Sequence, residues 1–235
     1  MVDVTAVILA GGLGTRLRSV LQGRPKVLAE IQGRPFLAYL LSQLSISGLR
    51  TVVLCTGYLG GQIQDRFGDS YRNLGIVYSR EGSLLGTAGA LRLALPLFKS
   101  SSVLVMNGDS FCDIDLHVFW DWHCGRRAAA TLALVRMVDS MRYGQVRMES
   151  DGALLSFEEK SGRGEPGWVN AGIYLLTLKF IQAIPENRAI SLEKEVFPAW
   201  IGRGLYGYQT EGRFLDIGIP ETYGAAKGFF SPEKT

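Results

Sequence analysis

Short apolar runs and amphipathic segments alternate along the first half of the chain. Four runs are mainly apolar and rich in β-branched residues, which predicts strands buried on both faces: 4–10, 51–55, 75–79 and 102–106. The segments between them carry apolar residues at helical spacing, which predicts helices over 35–48, 60–69 and 87–98. Thr87 stands where the N-cap of the last helix is expected. The alternation predicts an α/β fold with a doubly wound, mostly parallel, Rossmann-like sheet.

The rhythm changes after about residue 129, where one strand pattern follows another. Strands are predicted over 130–136, 144–149, 153–159, 168–177, 205–209 and 213–217. Helices are predicted around 178–184, 192–201 and from Pro220 onward. No repeat or linker interrupts the chain, so we interpret 1–235 as a single domain. Its second half completes the sheet and adds a small β/α layer that faces the substrate.

The composition is typical of a globular protein. Of the 235 residues, 47% are hydrophobic and 20% are charged, and the net charge of +3 is too small to indicate nucleic acid as a partner. No apolar run reaches the roughly 18 residues needed to span a membrane, and no signal peptide is visible. The three cysteines show no pairing pattern, which is typical of reduced thiols. We therefore expect a cytoplasmic protein with no membrane partner.

The segment LAGGLGTRLRSVLQGRPK, residues 9–26, follows the first strand with glycines at 11, 12 and 14 and then four cations. No carboxylate occurs between Asp3 and Glu30, so the loop carries a local positive field. Glycines after a buried strand expose successive N–H groups, and parallel sheets bind ligands at the carboxyl ends of their strands. The loop therefore predicts a site for a small polyanion.

Three kinds of phosphate-binding loop begin in this way. A dinucleotide-binding loop has a third glycine where this chain has Leu17, and an acid after the second strand, which TVVLCTGY lacks. A P-loop needs Gly-Lys-Ser/Thr, and GTRL does not supply it. The third kind wraps a nucleoside triphosphate, with Arg16 and Lys26 on its phosphates. A glycine-rich turn with solvated arginines would leave the absence of acids unexplained.

Five ordered motifs resemble those of the sugar-1-phosphate nucleotidyltransferases. LAGGLGTRL followed by PK is similar to the signature of that family, and the other matching segments are LGTAGAL (85–91), NGD (107–109), EEK (158–160) with NAGIY (170–174), and FLDIG (214–218). The resemblance covers nearly the whole chain. It implies a reaction in which a sugar 1-phosphate attacks the α-phosphorus of a nucleoside triphosphate, giving a nucleotide sugar and pyrophosphate.

The resemblance also implies roles for individual residues, with 1–128 mainly binding the nucleotide and 129–235 mainly binding the sugar phosphate. The implied nucleotide contacts are Leu9, Gly11, Gly12, Gly14, Thr15, Arg16, Lys26, Glu81, Gly86, Thr87 and Asp109. The implied sugar-phosphate contacts are Gly144, Glu159, Lys160 and Asn170. The implied catalytic residues, which neutralise phosphate charge, are Arg16, Lys26 and Lys160.

Asp109 and Asp216 are the implied ligands of a Mg²⁺ cofactor. One or two carboxylates together with substrate phosphates are the usual ligands of Mg²⁺. No cation stands near Asp109 in the sequence, and a turn role is the plainer alternative for an aspartate in NGD. By themselves, Glu159 and Lys160 would be a solvated pair of charges.

Within the family, the chain most resembles the D-glycero-α-D-manno-heptose 1-phosphate guanylyltransferases, through the stretches RLRSVLQGRPKVLAEIQGRPFLAYLL, NGDSFCDIDL and FLDIGIPETY. That likeness implies GTP and a heptose 1-phosphate as substrates. Glu81 either faces guanine, which offers two adjacent donors, or lies exposed in its loop. The alternatives are a mannose-1-phosphate guanylyltransferase, a thymidylyl- or uridylyltransferase, and a non-catalytic relative that binds a nucleotide sugar. A homo-oligomer is compatible with each of these.

Overall fold

The computed structural model describes residues 4–17, 21, 23–139, 143–158 and 166–230. Within these ranges the strands are β1 (Val4–Leu9), β2 (Glu30–Ile31), β3 (Arg34–Pro35), β4 (Thr51–Thr56), β5 (Ser70–Tyr71), β6 (Leu74–Arg80), β7 (Ser102–Asn107), β8 (Ser110–Cys112), β9 (Ala130–Met137), β10 (Gln145–Met148), β11 (Leu154–Glu158), β12 (Gly167–Thr177), β13 (Leu205–Thr210) and β14 (Phe214–Asp216). The α-helices are α1 (Phe36–Ile46), α2 (Gly60–Phe67), α3 (Gly86–Ala94), α4 (Leu116–Arg126), α5 (Leu178–Gln182), α6 (Phe197–Trp200) and α7 (Pro220–Ala225). A π-helix spans Leu192–Val196, and 3₁₀ turns lie at Thr15–Leu17, Lys26–Leu28, Leu95–Leu97 and Ala226–Gly228.

Four parallel strands form the centre of the main sheet. β1 pairs with β7 on one side and with β4 on the other, and β6 continues beyond β4. Nearly every residue of β1, β4 and β7 is buried, as their continuous apolar runs predicted. Leu9 at the end of β1 lies opposite Asn107 at the end of β7. The glycine-rich loop and the NGD turn therefore leave the sheet side by side.

The second half of the chain completes this sheet with antiparallel strands. β12 lies against β7 and also pairs with β9 and β10, while β13 runs parallel to β9 and β11 lies beyond β10. The turn predicted at 150–152 joins β10 to β11 as a hairpin. The predicted fold class is confirmed, since the mixed sheet is mostly parallel at its centre and helices flank it.

Helices cover both faces of the sheet, each face over its own hydrophobic core. Residues of α1 and α4 pack on the face to which Ala6 and Ile8 point. Residues of α3, α5 and α6 cover the opposite face, to which Val7 points. Because successive side chains of a strand point to opposite faces, a strand that is apolar throughout can serve both cores. This is the doubly wound arrangement that the sequence predicts.

Two predicted helices differ from the observed ones. The helix predicted over 87–98 begins at Gly86 and ends at Ala94, and Leu85 occupies its N-cap position without a side-chain hydrogen bond. The prediction of Thr87 as N-cap is wrong, because the Thr87 hydroxyl bonds to the segment around Glu193 instead. The helix predicted over 192–201 is divided into the π-helix and α6, with Pro198 in the first turn of α6.

Candidate active site

A cleft of about 220 Å³ opens where β1 and β7 end, at the edge of the sheet where α/β proteins bind ligands. Of the predicted nucleotide contacts, its lining includes Leu9, Gly11, Gly12, Lys26, Glu81, Gly86, Thr87 and Asp109. Gly14 lines an adjoining hollow that also contains Gly12. Thr15 and Arg16 lie in the exposed 3₁₀ turn that follows directly. The structure therefore gathers the predicted nucleotide contacts at one place.

A larger hollow, of about 920 Å³, lies between α4 and the β10–β11 hairpin. Its lining contains none of the predicted site residues. Within it, the Arg126 guanidinium stacks 3.6 Å from the centre of the Trp122 ring and donates a hydrogen bond to the Asp151 carbonyl at 3.0 Å. Volume alone would favour this hollow, but the chemistry favours the cleft, which is therefore the candidate active site.

The floor of the cleft consists of backbone that approaches too closely for a side chain. The Gly108 N–H donates to the Leu9 carbonyl at 2.9 Å, which ties the end of β7 to the end of β1. A Cβ on Gly108 would lie 2.6 Å from that carbonyl oxygen and 2.8 Å from Val27 Cγ1. A Cβ on Gly11 would lie 2.7 Å from Glu81 Oε1. These glycines let backbone and carboxylates share a small space.

Lys26 pairs with Asp109 at the mouth of the cleft. Its ammonium Nζ lies 2.7 Å from Asp109 Oδ2, and its side chain is only 12% exposed against 41% for Asp109. No cation stands near Asp109 in the sequence, but the fold brings Lys26 to it from a distant part of the chain. The lysine of the first motif and the aspartate of the third thus meet.

The ribbon of β8 and β14 places Asp216 beside Asp109. Asp216 lies opposite Ser110 in the register of the ribbon, and the Ile217 N–H donates to the Asp109 carbonyl at 2.9 Å. Burial, and next the negative charge of Asp109, raise the pKa of Asp216, while Lys26, a hydrogen bond from the Gly218 N–H and Arg16 oppose the rise. The two aspartates, far apart in sequence, converge on one site.

The donor set formed by Asp109 and Asp216 suits a hard divalent cation. Across the described ranges, no group of three or more His, Cys, Asp or Glu side chains is placed to hold a metal. Two carboxylates that share a site with substrate phosphates are, however, how Mg²⁺ is commonly held. A cation between them would relieve the repulsion that raises the pKa of Asp216. The residues present therefore fit the predicted metal.

Glu81 also lines the cleft and is half-buried. Its Oε2 accepts a hydrogen bond from the Leu85 N–H at 3.0 Å. Burial raises the pKa of Glu81, and the hydrogen bond from Leu85 opposes this. Cys55 lines the same cleft, and burial and then the charge of Glu81 raise its thiol pKa to about 12. Cys55 is therefore a packing residue rather than a nucleophile.

Thr87 lines the cleft, but its hydroxyl is engaged within the protein. It donates to Glu193 Oε2 at 2.8 Å and accepts from the Leu192 N–H at 2.8 Å. The N–H groups of Ala88 and Gly89, in the first turn of α3, donate to the Ile190 carbonyl. The first N–H groups of a helix have no partner within it, so Gly86 and Thr87 can offer backbone donors to a ligand.

Asn170 and Gly144, two of the predicted sugar-phosphate contacts, are hydrogen-bonded neighbours. The Asn170 N–H donates to the Gly144 carbonyl at 3.2 Å. In its side chain, Nδ2 donates to the Tyr174 hydroxyl at 2.8 Å, and Oδ1 accepts from the Gly172 N–H at 2.9 Å. One hydrogen and one lone pair of the amide remain for a ligand. The other two sugar-phosphate contacts, Glu159 and Lys160, lie outside the described residues.

Sequence reasoning missed Tyr174 and Glu193. Tyr174 is fully buried in β12, and its hydroxyl donates to Glu193 Oε1 at 3.1 Å. A tyrosine within an apolar strand signals a buried hydroxyl that needs a partner. Nothing in the local pattern indicates that the partner belongs to the π-helix.

The chain is similar to known proteins over most of its length. The family described as nucleotidyl transferase matches residues 5–231. The chain is 35% identical to a D-glycero-α-D-manno-heptose 1-phosphate guanylyltransferase of Aneurinibacillus thermoaerophilus, over 94% of this chain and 96% of that protein. It is 36% identical to a mannose-1-phosphate guanylyltransferase of Mycobacterium tuberculosis, over 94% of this chain but only 63% of the relative's length.

A crystal structure of HddC from Yersinia pseudotuberculosis, complexed with GMP-PN, has a similar fold. The TM-score is 0.85 at 33% sequence identity, and the match covers 97% of this chain and 99% of the other. Among the described residues, every helix is too short or too polar to pass through a membrane.

Proposed function

Because this chain belongs to the nucleotidyl transferase family, we propose that it transfers a nucleotidyl group from GTP to a sugar 1-phosphate and releases pyrophosphate. The observation that carries this proposal is the meeting of Lys26, Asp109 and Asp216 beside a glycine-lined cleft. We assign nucleotide binding mainly to 1–128 and sugar-phosphate binding mainly to 129–235.

The proposed acceptor is D-glycero-α-D-manno-heptose 1-phosphate, supported by the relative of that activity at 35% identity. Mannose 1-phosphate is the second candidate, supported by the mannose-1-phosphate guanylyltransferase at 36% identity. GTP is supported by both relatives and by the similar structure that holds GMP-PN. The substrate panel described below decides between the two sugars.

In the proposed mechanism the protein positions and neutralises phosphates and needs no nucleophile of its own. The phosphate dianion of the sugar attacks the α-phosphorus in line, and pyrophosphate leaves from the opposite side. Backbone N–H groups of 11–15 and the side chain of Arg16 bind the leaving phosphates. Lys26 holds the α-phosphate, and Lys160 holds the sugar phosphate. Fixed charges of this kind stabilise a transition state without reorganising.

Asp109 and Asp216 would hold Mg²⁺, which supplies a positive charge to the oxygens of the reacting phosphates. Lys26 lies 2.7 Å from Asp109, so its ammonium already stands beside the place where phosphate charge would develop. Gly144 and Asn170, joined through their backbones, would contact the sugar. The three cysteines, free in the structure, suit the reducing cytoplasm that we propose as the compartment.

Glu81 is proposed to select guanine. Its Oε2 already accepts from Leu85, and its Oε1 lies beside the backbone of Gly11 within the cleft. A carboxylate there can accept from the N1–H and N2–H₂ of guanine, whereas uracil and thymine offer only one donor. An unpaired acceptor or donor penalises the wrong base, because buried polar groups without a partner are costly.

A substrate panel tests the proposal. Four nucleoside triphosphates are combined with heptose, mannose and glucose 1-phosphates, with and without Mg²⁺, and pyrophosphate release is measured. We expect release only with GTP, a sugar 1-phosphate and the metal together, and fastest with the heptose. Turnover without a sugar phosphate, or none with any combination, would contradict the proposal. The fastest sugar decides between heptose and mannose.

The same panel tests Glu81 with the variant Glu81→Gln. Glutamine keeps the size of the side chain but replaces one acceptor by a donor, so the preference for GTP over the other nucleotides should fall about tenfold. Glu211→Gln, in an exposed loop, is the matched control and should leave the preference unchanged. An unchanged preference in Glu81→Gln would remove Glu81 from base recognition.

A further inference from the structure

Three hydroxyl groups converge on the carboxylate of Glu193. Its Oε2 accepts from Thr87 Oγ1 at 2.8 Å and from Ser191 Oγ at 2.9 Å, and its Oε1 accepts from the Tyr174 hydroxyl at 3.1 Å. Thr87 and Ser191 in turn accept from the backbone N–H groups of Leu192 and Lys194. The hydroxyl hydrogens of both residues are therefore directed at Glu193, and the carboxylate is held on both oxygens.

The Tyr174 hydroxyl uses its full hydrogen-bonding capacity. It donates once, to Glu193, and it accepts twice, from Asn170 Nδ2 at 2.8 Å and from Asn107 Nδ2 at 3.3 Å. Tyr174 is fully buried, so water cannot replace any of these partners. Because both acceptor positions are taken by amide hydrogens, the hydroxyl can only be the donor toward Glu193.

The ends of this network reach both sides of the proposed reaction. Thr87 is the second residue of α3 and lines the nucleotide cleft. Asn170 lies on the sugar side, bonded to Gly144. Asn107 is the last residue of β7, two positions before Asp109. The Glu193 carboxylate and the Tyr174 hydroxyl therefore connect three places: the nucleotide cleft, the turn that carries Asp109, and the region proposed to bind the sugar.

We infer that Glu193 is a positioning residue, which acts through Tyr174 to hold Asn170 and acts directly to hold Thr87. This inference rests on the proposed function, since it assigns the two ends of the network to the two substrates. Among the described residues, the hydrogen-bond partners of the Glu193 carboxylate are Thr87, Tyr174 and Ser191. Its role is to hold Thr87 in the nucleotide cleft and Asn170 on the proposed sugar side at fixed positions relative to each other.

A carboxylate is needed at this position because all three partners are donors. A glutamine has one acceptor oxygen and one amide nitrogen that donates. If the nitrogen faces Tyr174, two donors oppose each other; if it faces Thr87 and Ser191, their hydroxyl hydrogens lose the acceptor. Either orientation breaks part of the network while keeping the size of the side chain.

The test measures the KM of each substrate separately in Glu193→Gln and Tyr174→Phe. Tyr174→Phe should raise the KM of the sugar 1-phosphate about fivefold to tenfold and change the KM of GTP less, because it releases Asn170 and the longer bond from Asn107 but leaves Thr87 bonded to Glu193. Glu193→Gln should raise both KM values by a similar factor. The double variant should show less than the sum of the two effects on the sugar KM, because both act through one hydrogen bond.

Glu211→Gln, in an exposed loop, and Tyr208→Phe, in β13, are the matched controls; both should keep wild-type KM values. A loss of folded protein lowers kcat per chain but leaves each KM unchanged, so the KM pattern separates positioning from stability. Wild-type KM values in Glu193→Gln and Tyr174→Phe, or equal changes of both KM values in Tyr174→Phe, would overturn the inference. Absence of turnover in the wild-type protein would instead overturn the proposed function.

Discussion

The nucleotide cleft and the region proposed to bind the sugar are built by different means. The cleft, at the ends of the parallel strands, is lined largely by backbone, in which Gly108 bonds to Leu9 and Gly11 lies against Glu81. The proposed sugar region is held by a network of side chains around Tyr174 of β12 and Glu193 of the π-helix. Phosphates can be bound by N–H groups that every residue carries, whereas sugar hydroxyls need donors and acceptors at particular places.

This difference explains which parts of the site can be predicted from local sequence and which cannot. A glycine required by close approach leaves its mark in the sequence as a motif, because no other residue fits. A hydrogen-bond network leaves only ordinary polar residues, whose partners are set by the fold. Sequence motifs therefore predict the backbone-lined cleft better than they predict the side-chain network.

Asp109 lines the cleft with Asp216 beside it, and removal of either carboxylate should have the largest effect. Asp109→Asn and Asp216→Asn should each lower kcat/KM by about 10³-fold, because each removes a charge needed for the metal and the reacting phosphates. Either change removes the repulsion between the two carboxylates, and Asp216→Asn also removes the cost of burying a charge. The folded state should therefore survive. Pyrophosphate release gives the rate, and circular dichroism checks the fold.

Asp113→Asn is the matched control for these variants. Asp113 is 60% exposed and lies 3.7 Å from Arg213, away from the cleft, so its loss should leave kcat/KM within twofold of wild type. If Asp109→Asn kept a tenth or more of the wild-type rate, the metal assignment would be wrong. The same result for Asp216→Asn alone would place the metal on Asp109 and the phosphates only.

Gly108→Ala tests the close backbone approach in the floor of the cleft. The added Cβ would lie 2.6 Å from the Leu9 carbonyl oxygen, so β1 and β7 must separate at their ends. We expect the free energy of unfolding to fall by about 3 kcal/mol, near the upper range for overpacked sites. Urea unfolding followed by fluorescence measures the change.

Gly61→Ala is the matched control for Gly108→Ala. A Cβ on Gly61 would have no neighbour within 4 Å, and the residue lies in α2, so this variant should gain up to about 1 kcal/mol. Equal stability of Gly108→Ala and wild type would show that the two strand ends can move apart freely. The close approach would then have no structural consequence.

Thr87 and Lys26 show where sequence reasoning ends. The order of strands and helices, the doubly wound sheet and the loop at the end of β1 follow from apolar periodicity and glycines. Thr87 was predicted to cap its own helix, a local rule, but its hydroxyl bonds to Glu193 from a distant segment. The pairing of Lys26 with Asp109 likewise depends on a contact between remote residues. Only the family resemblance indicated that Asp109 and Asp216 belong together.

His123 tests whether a buried side-chain pair stabilises the packing of α4 on β9. It is 3% exposed, and its Nδ1 lies 2.7 Å from Thr131 Oγ1 of β9. Burial lowers its pKa from 6.5 to about 4. As the pH falls below 6.5, His123 becomes protonated in the unfolded chain, whereas in the folded chain it stays neutral until about pH 4. Its contribution to the free energy of unfolding is therefore complete above pH 6.5 and is lost as the pH falls. Between pH 8 and pH 5 the loss from this residue should be about 2 kcal/mol.

His123→Gln keeps a partner for Thr131 but cannot titrate. Between pH 8 and pH 5, its free energy of unfolding should therefore fall by about 2 kcal/mol less than that of the wild type. The chain has only one other histidine, His117, which is exposed in α4. His117→Gln, at an exposed position of the same helix, is the matched control and should follow the wild-type pH dependence. A wild-type slope in His123→Gln would mean that the buried imidazole accepts its proton without cost. The packing of α4 on β9 would then be looser than the hydrogen bond between His123 and Thr131 indicates.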